Sequence, residues 1–223
     1  LCINFDAPVV KEAASWFLDG VFLNYNSSYL ERMLEQLLDE AESPEVTRFL
    51  RAVDVRIDGF RVEKSPEWRG QRVFVRHEVD GKGYELRLSE ESAGTQKLIG
   101  LAAYLMTALE RGSTVVVDEL DAKLHPKLLR YVILLFKDPA VNKNGAQLIF
   151  SSQDVSTMRN DVFRRDEIWF AARGEGEASQ LWSLADIHEA NGNLVSKNAA
   201  FDKQYLSGRY GADPYLTRIE EWD

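Results

Sequence analysis

The sequence has little of what would place a protein outside a reducing compartment or inside a bilayer. Its 223 residues include one cysteine, Cys2, so no disulfide can close within the chain, and a cytoplasmic location is favoured. No stretch reaches the about 18 consecutive apolar residues of a membrane-spanning helix. The longest apolar run, Leu98 to Leu109, is interrupted by Gly100 and Thr107. Leu1 to Asp6 lack the basic segment that opens a secretory signal, and the chain does not begin with methionine, so it is expected to be a piece of something longer. Positive charge is also short. With 27 Lys and Arg against 36 Asp and Glu, the net charge is −9, which argues against sequence-blind nucleic-acid binding by the whole chain. The histidines and Cys2 show no zinc spacing. What remains, 45% hydrophobic and 28% charged, is an ordinary globular composition, in a chain long enough to bury a core.

Residues 1–53 read as a helical lobe. Val9, Val10, Ala13, Ala14, Phe17 and Leu18 recur at helical spacing, as do Leu30, Met33, Leu34, Leu37 and Leu38, and Pro44 with Glu45 opens a third helix over Val46 to Val53. From Asp54 the period shortens to two. Val55-Arg56-Ile57, Phe60-Arg61-Val62, Val73-Phe74-Val75 and Glu85 to Leu88, punctuated by glycines and Pro66, predict an antiparallel meander. From Ser89 helices and buried strands alternate, the pattern of a parallel α/β sheet. The sequence predicts a helix over Ala93 to Arg111, a strand over Thr114 to Asp118, a helix over Pro126 to Phe136 and a strand over Gln147 to Ser151. Two strand-like runs follow, Glu167 to Ala172 and Ser179 to Leu184, then a polar stretch and an aromatic tail with Tyr205, Tyr210, Tyr215 and Trp222, which reads as a packing clasp.

Three clusters carry chemistry. The apolar run Thr114 to Val117 ends in Asp118 and Glu119, and adjacent carboxylates are tolerable there if they lie at the carboxyl edge of a sheet, where open α/β proteins bind ligands. The first acid suits a hydrated Mg²⁺, which takes one or two carboxylates plus phosphate and water oxygens. The second suits the orientation or deprotonation of an attacking water. Upstream, Ser92-Ala93-Gly94-Thr95-Gln96 opens a strongly apolar helix, where backbone N–H groups, a hydroxyl, an amide and the positive end of the helix dipole make an anion site. Downstream, Gln147 to Phe150 runs into Ser151-Ser152-Gln153-Asp154, a polar cluster placed to lie beside the acid pair in a parallel sheet.

In this order the three clusters resemble the C-terminal half of an ABC/SMC-type ATPase head. More closely they are similar to the RecF- and OLD-like branch and its RloA-type AAA family ATPases, which are linked to phage defence and restriction. The likeness is strong over residues 89–216, extends through Arg165 to Phe170 and Tyr205 to Ala212, and is diffuse over the first quarter. It implies an α/β fold: part of a P-loop NTPase head with a mostly parallel sheet, over residues 54–223, preceded by the helical lobe and including the short meander. It implies ATP as ligand, Mg²⁺ as cofactor, and a homodimer closed around ATP. Asp118 would be the Walker B carboxylate on Mg²⁺ and Glu119 the catalytic carboxylate. Ser92, Gly94, Thr95 and Gln96 would form the signature motif, which binds the γ-phosphate of ATP held by the opposite subunit. Asp121 to His125 would form the D-loop, and Gln153 would take the switch position.

Two departures qualify that reading. Histidine is usual at the switch position; Gln153 can hydrogen-bond to a water or phosphate but cannot carry a proton, which implies either slow hydrolysis or hydrolysis that relies wholly on Glu119. No G-x-x-x-x-G-K-[S/T] occurs, and Gly81-Lys82-Gly83 belongs to a hairpin turn. The cradle that supplies much of the phosphate binding is therefore expected in a preceding part, and the chain alone is expected to be inactive. An alternative is a nucleotide-gated scaffold with little hydrolysis that recruits a separate nuclease or toxin effector. A nuclease site within this chain is disfavoured, because Asp118-x-x-Asp121 lacks D-x-D spacing and no acidic triplet follows Asp154. Arg164-Arg165 is too small a basic patch to imply DNA contact.

Overall fold

The computed structural model describes residues 21–24, 44–53, 57–64, 71–173 and 178–212. In chain order the elements are β1 (Val21–Asn24), α1 (Pro44–Ala52), β2 (Gly59–Lys64), β3 (Gln71–Val79), β4 (Lys82–Arg87), α2 (Ala93–Arg111), β5 (Thr114–Val117), α3 (Pro126–Lys137), β6 (Gln147–Phe150), β7 (Trp169–Arg173), β8 (Ser179–Ser183) and α4 (Phe201–Leu206). Two units are compact in themselves, Leu1–Gln153 and Asp154–Asp223.

In the first unit β5 is the middle strand of a parallel sheet ordered β1-β5-β6. Val115 and Val117 are buried, so the strand ends abruptly where the sequence turns acidic. α2 begins where Ser92 caps it, the hydroxyl accepting from the Thr95 N–H at 3.1 Å. It ends at Gly112, whose φ of 72° only glycine adopts cheaply. Between them Leu98, Ile99, Leu101, Ala102, Leu105 and Ala108 are fully buried, the broad stripe of a helix packed on several sides. α1 packs on α2 and buries Val46, Phe49 and Leu50. α3 starts at His125 with Pro126 in its first turn, and buries Leu129, Val132 and Ile133. The return to β6 is fixed by asparagines. Asn144 donates to the Leu109 and Glu110 carbonyls at the end of α2, and Asn142 bonds both the Phe136 and Ala146 backbones.

The meander forms as the alternating sequence predicts, in the antiparallel order β2-β3-β4. Asp80 and Gly81, with φ of 52° and 73°, make the two-residue turn between β3 and β4, the pairing of left-handed residues that suits the strand twist. Phe60, Val73 and Val75 bury one face. The other carries Arg61, paired with Glu85 at 2.8 Å and stacked over Phe74 at 4.1 Å.

The second unit pairs β7 with β8 and builds its core from Ile168, Phe170, Leu184, Val195, Phe201 and Tyr210. Phe170 meets Tyr205, stacked with ring centres 5.7 Å apart, and Tyr210, tilted at 5.3 Å. Trp182 donates its indole N–H to the Tyr210 carbonyl. The tail therefore packs as a clasp at these two tyrosines; Tyr215 and Trp222 lie outside the described residues.

Two expectations differ. Val21–Asn24, read as part of a helical lobe, is a strand paired in parallel with β5, because a short apolar run carries no periodicity of its own to separate strand from helix. The helical spacings at Val9–Leu18 and Leu30–Leu38 lie outside the described residues. β6, read as buried, is open on one face, with Gln147 exposed and Ile149 56% exposed.

Candidate functional site

The acids of the sequence motif sit where β5 gives out, and β6 delivers Ser151 beside them. The Ser151 N–H donates to the Val117 carbonyl at 3.1 Å, and the Leu120 N–H donates back to the Ser151 carbonyl at 3.0 Å. The sheet pairing thus continues one step past both strands and holds Asp118 and Glu119 against the loop. Both acids are exposed. Glu119 adopts φ 49°, a left-handed backbone that costs a non-glycine residue roughly 1–2 kcal/mol. Two side chains hold it there. Ser151 Oγ accepts from the Glu119 N–H at 2.8 Å, and Lys97 Nζ donates to the Glu119 carbonyl at 2.6 Å. Strain held by surrounding contacts is common at functional positions.

Lys97 comes from the first turns of α2, so the same bond joins the anion-site helix to the acid turn. Gly94 completes that junction. A Cβ there would lie 2.8 Å from the Lys123 carbonyl oxygen, so a glycine is needed for the helix to approach the loop. The residues expected to be signature and D-loop are therefore brought together within one chain. Glu91, immediately before the cap, pairs with His77 of β3 at 2.6 Å and ties the start of α2 to the meander. Ser92 Oγ also bonds Thr95 Oγ1 at 2.8 Å, and Gln96 donates its amide to the Glu91 carbonyl at 2.7 Å. Ser92 is exposed and Thr95 and Gln96 are half-buried, so these groups form a self-bonded rim around the helix start.

Asp121 accepts from the Gln153 N–H through Oδ2 at 3.2 Å. Among the described residues its buried Oδ1 has no hydrogen-bond partner, a costly state for a carboxylate oxygen. Burial pushes the Lys97 ammonium below its ordinary range, opposed by the nearby Asp121 and Glu119 charges. Gln153 is exposed beside this loop. His125 does a local job, its Nδ1 accepting from the Lys127 N–H at 3.1 Å to cap α3. Among the described residues no three His, Cys, Asp or Glu side chains converge into a metal cage. A lone exposed carboxylate such as Asp118 suits Mg²⁺ completed by phosphate and water oxygens.

The profile of the family described as "AAA domain, putative AbiEii toxin, Type IV TA system" matches residues 3–159. The chain belongs to this AAA domain family. The match takes in all three motif clusters, from Ser92 to Gln153, and both the parallel sheet and the antiparallel meander of the α/β fold. No curated protein matches the chain. Among solved structures it is similar to one from "Structural biochemistry of ATP-driven dimerization and DNA stimulated activation of SMC ATPases", at 17% identity and a TM-score of 0.45, covering 71% of this chain and 89% of that one. No described helix is long and apolar enough to cross a membrane.

Two residues of the candidate site gave little sign of themselves in the sequence. Lys97 is a cation set into an apolar helix, and that contrast is its one local signal. Ser151 read only as part of a polar cluster, and its bonds depend on the β5–β6 register.

Proposed function

We propose that this AAA domain supplies the signature, acid-pair and switch elements of an ATP-binding, ATP-hydrolysing head of the ABC/SMC-like, RloA type, which dimerises around ATP. The observation that carries the reading is the junction at Glu119: one chain packs an anion-binding helix start against a strand-end acid pair and grips the second acid from both sides. Asp118 is the residue that would hold Mg²⁺, whose chemistry there is to offset charge on the phosphate oxygens. Glu119 accepts a proton from the attacking water as its oxygen bonds the γ-phosphorus and ADP departs. Ser92, Gly94, Thr95 and Gln96 present the start of α2 to a phosphate held by the partner subunit, with Asp121 to His125 following it across the interface. Gln153 orients the water without taking its proton.

The sequence contains no G-x-x-x-x-G-K-[S/T], so in this reading the phosphate cradle comes from polypeptide outside it, and the 223 residues alone bind nucleotide weakly. The open face of β6, with Ile149 exposed, fits a head completed by further structure. A place in phage defence or restriction, in the cytoplasm, belongs to the same reading.

The test is ATP turnover by the full-length protein. Mg²⁺-dependent hydrolysis is expected, with Glu119→Gln slower by on the order of 10² or more; turnover unchanged by that substitution removes Glu119 from its role. Gln153 favours one second reading, a nucleotide-gated scaffold that recruits a separate nuclease or toxin effector. ATP-dependent dimerisation with negligible turnover is its signature, and brisk turnover counts against it.

A further inference from the structure

The Ser151 hydroxyl has one proton and two lone pairs, and its surroundings leave one way to use them. The Glu119 N–H, at 2.8 Å, can only donate, so it takes a lone pair. The proton is left for Asp118 Oδ1, at 2.5 Å, the short distance of a hydroxyl bonded to a carboxylate. The backbone N–H and C=O of Ser151 are themselves tied to Val117 and Leu120, which fixes where its Cβ stands, and its two side-chain bonds select the rotamer. A single side chain thus engages one oxygen of the first acid and the backbone of the second.

We propose that Ser151 is a positioning residue for the acid pair: its hydroxyl occupies Asp118 Oδ1, leaves Oδ2 to face a divalent cation, and holds Glu119 in its left-handed backbone. This rests on the reading of Asp118 and Glu119 as the metal-holding and water-activating acids. The polarity of the arrangement gives it direction. An amide donor upstream of the hydroxyl and a carboxylate downstream make a chain whose order cannot reverse, so Ser151 donates to one Asp118 oxygen and the other is left for the cation. Because Ser151 is exposed, removing the hydroxyl leaves no buried orphan. The effect falls on orientation rather than on folding.

Four variants of the full-length protein test this: Ser151→Ala, Ser151→Thr, Ser151→Val and Glu119→Gln. Three readouts apply: amide hydrogen exchange at Glu119 without nucleotide, Mn²⁺ affinity by electron paramagnetic resonance with a non-hydrolysable ATP analogue, and Mg²⁺-dependent turnover. Ser151→Ala and Ser151→Val are expected to speed exchange at Glu119, and to weaken Mn²⁺ binding and slow turnover by about tenfold, the scale typical of groups that orient a metal ligand. Ser151→Thr, which keeps the hydroxyl, stays near wild type in all three. Melting temperatures shift little across the Ser151 series. If Glu119→Gln abolishes turnover while Ser151→Ala matches wild type in exchange and Mn²⁺ affinity, the Ser151 assignment falls alone. If Glu119→Gln turns over normally, the acid-pair reading falls and takes this one with it.

Discussion

Lys97 Nζ donates to the Glu119 carbonyl at 2.6 Å, joining the first turns of α2 to the residue after Asp118. The same carbonyl accepts from the Ala122 N–H at 3.0 Å, so it keeps a partner when Lys97 is lost. Lys97→Met, which preserves the stem, is therefore expected to change stability by less than about 1 kcal/mol. It also releases one of the two grips on a left-handed glutamate, and turnover of the full-length protein is expected to fall several-fold. Urea denaturation and steady-state kinetics on the same preparation check both parts. A large loss of stability would recast Lys97 as a folding residue.

At Gly94 two effects oppose each other. In an open helix, alanine is favoured over glycine by about 1 kcal/mol. Here the new methyl group would meet the Lys123 carbonyl oxygen at 2.8 Å, and relieving such overpacking against backbone costs roughly 1–3 kcal/mol. Lys123 already holds a φ of 64° and has little room to yield. Gly94→Ala should come out destabilised in urea denaturation; a stabilised variant would show that the loop gives way freely.

Gly112 and Gly145 separate backbone strain from steric fit. Both have φ near 70°, at 72° and 73°, but a Cβ at Gly112 would sit 2.4 Å from the Asn144 carbonyl oxygen, whereas at Gly145 nothing lies within 4 Å. Alanine at Gly145 should cost the backbone contribution alone, roughly 1–2 kcal/mol. At Gly112 the clash adds to it, for a total of about 2 kcal/mol or more. Equal losses in thermal melts of the two variants would count against the close approach of Asn144 to the end of α2.

Tyr210 gives a pH signature. Burial, outweighing nearby Arg209, pushes its phenol from 10.0 up to about 12, and its hydroxyl donates to Gln204 Oε1 at 2.7 Å. A group whose folded pKa is raised stabilises fully below its unfolded value and loses that contribution as pH rises through the folded one. The second unit should therefore weaken between pH 10 and about 12. Tyr210→Phe should remove this component while losing the bond to Gln204. Absorbance titration of phenolate formation, wild type against Tyr210→Phe, should show one tyrosine ionising late; its absence in the wild type refutes the shift.

Legibility in the sequence followed the range of the forces involved. α2 was readable almost to the residue, because its cap at Ser92 and its stop at Gly112 are local signals that agree with the apolar stripe between them. The ends of β5 and β6 were nearly as clear, since apolar residues give way there to polar ones. β1 was not, because four residues among helical spacings acquire strand character only by pairing with β5. At the candidate site, Asp118, Glu119, Ser92 and Gly94 stood out by chemistry and spacing. Ser151 and Lys97 did not, because their roles consist of bonds across more than twenty residues of chain, and no local pattern records which hydroxyl meets which amide.

The aromatic cluster around Phe170 sets an order on the making of the protein. A two-stranded ribbon such as β7–β8 is marginal alone, and Val195, Phe201, Tyr205 and Tyr210, which enclose it, all follow it in the chain. The described strands and helices of the first unit are all synthesised by Phe150. On the ribosome, where domains fold as units beginning at the N-terminus, the first unit has its parts to hand while the second waits, unfinished, for Tyr210 to leave the exit tunnel.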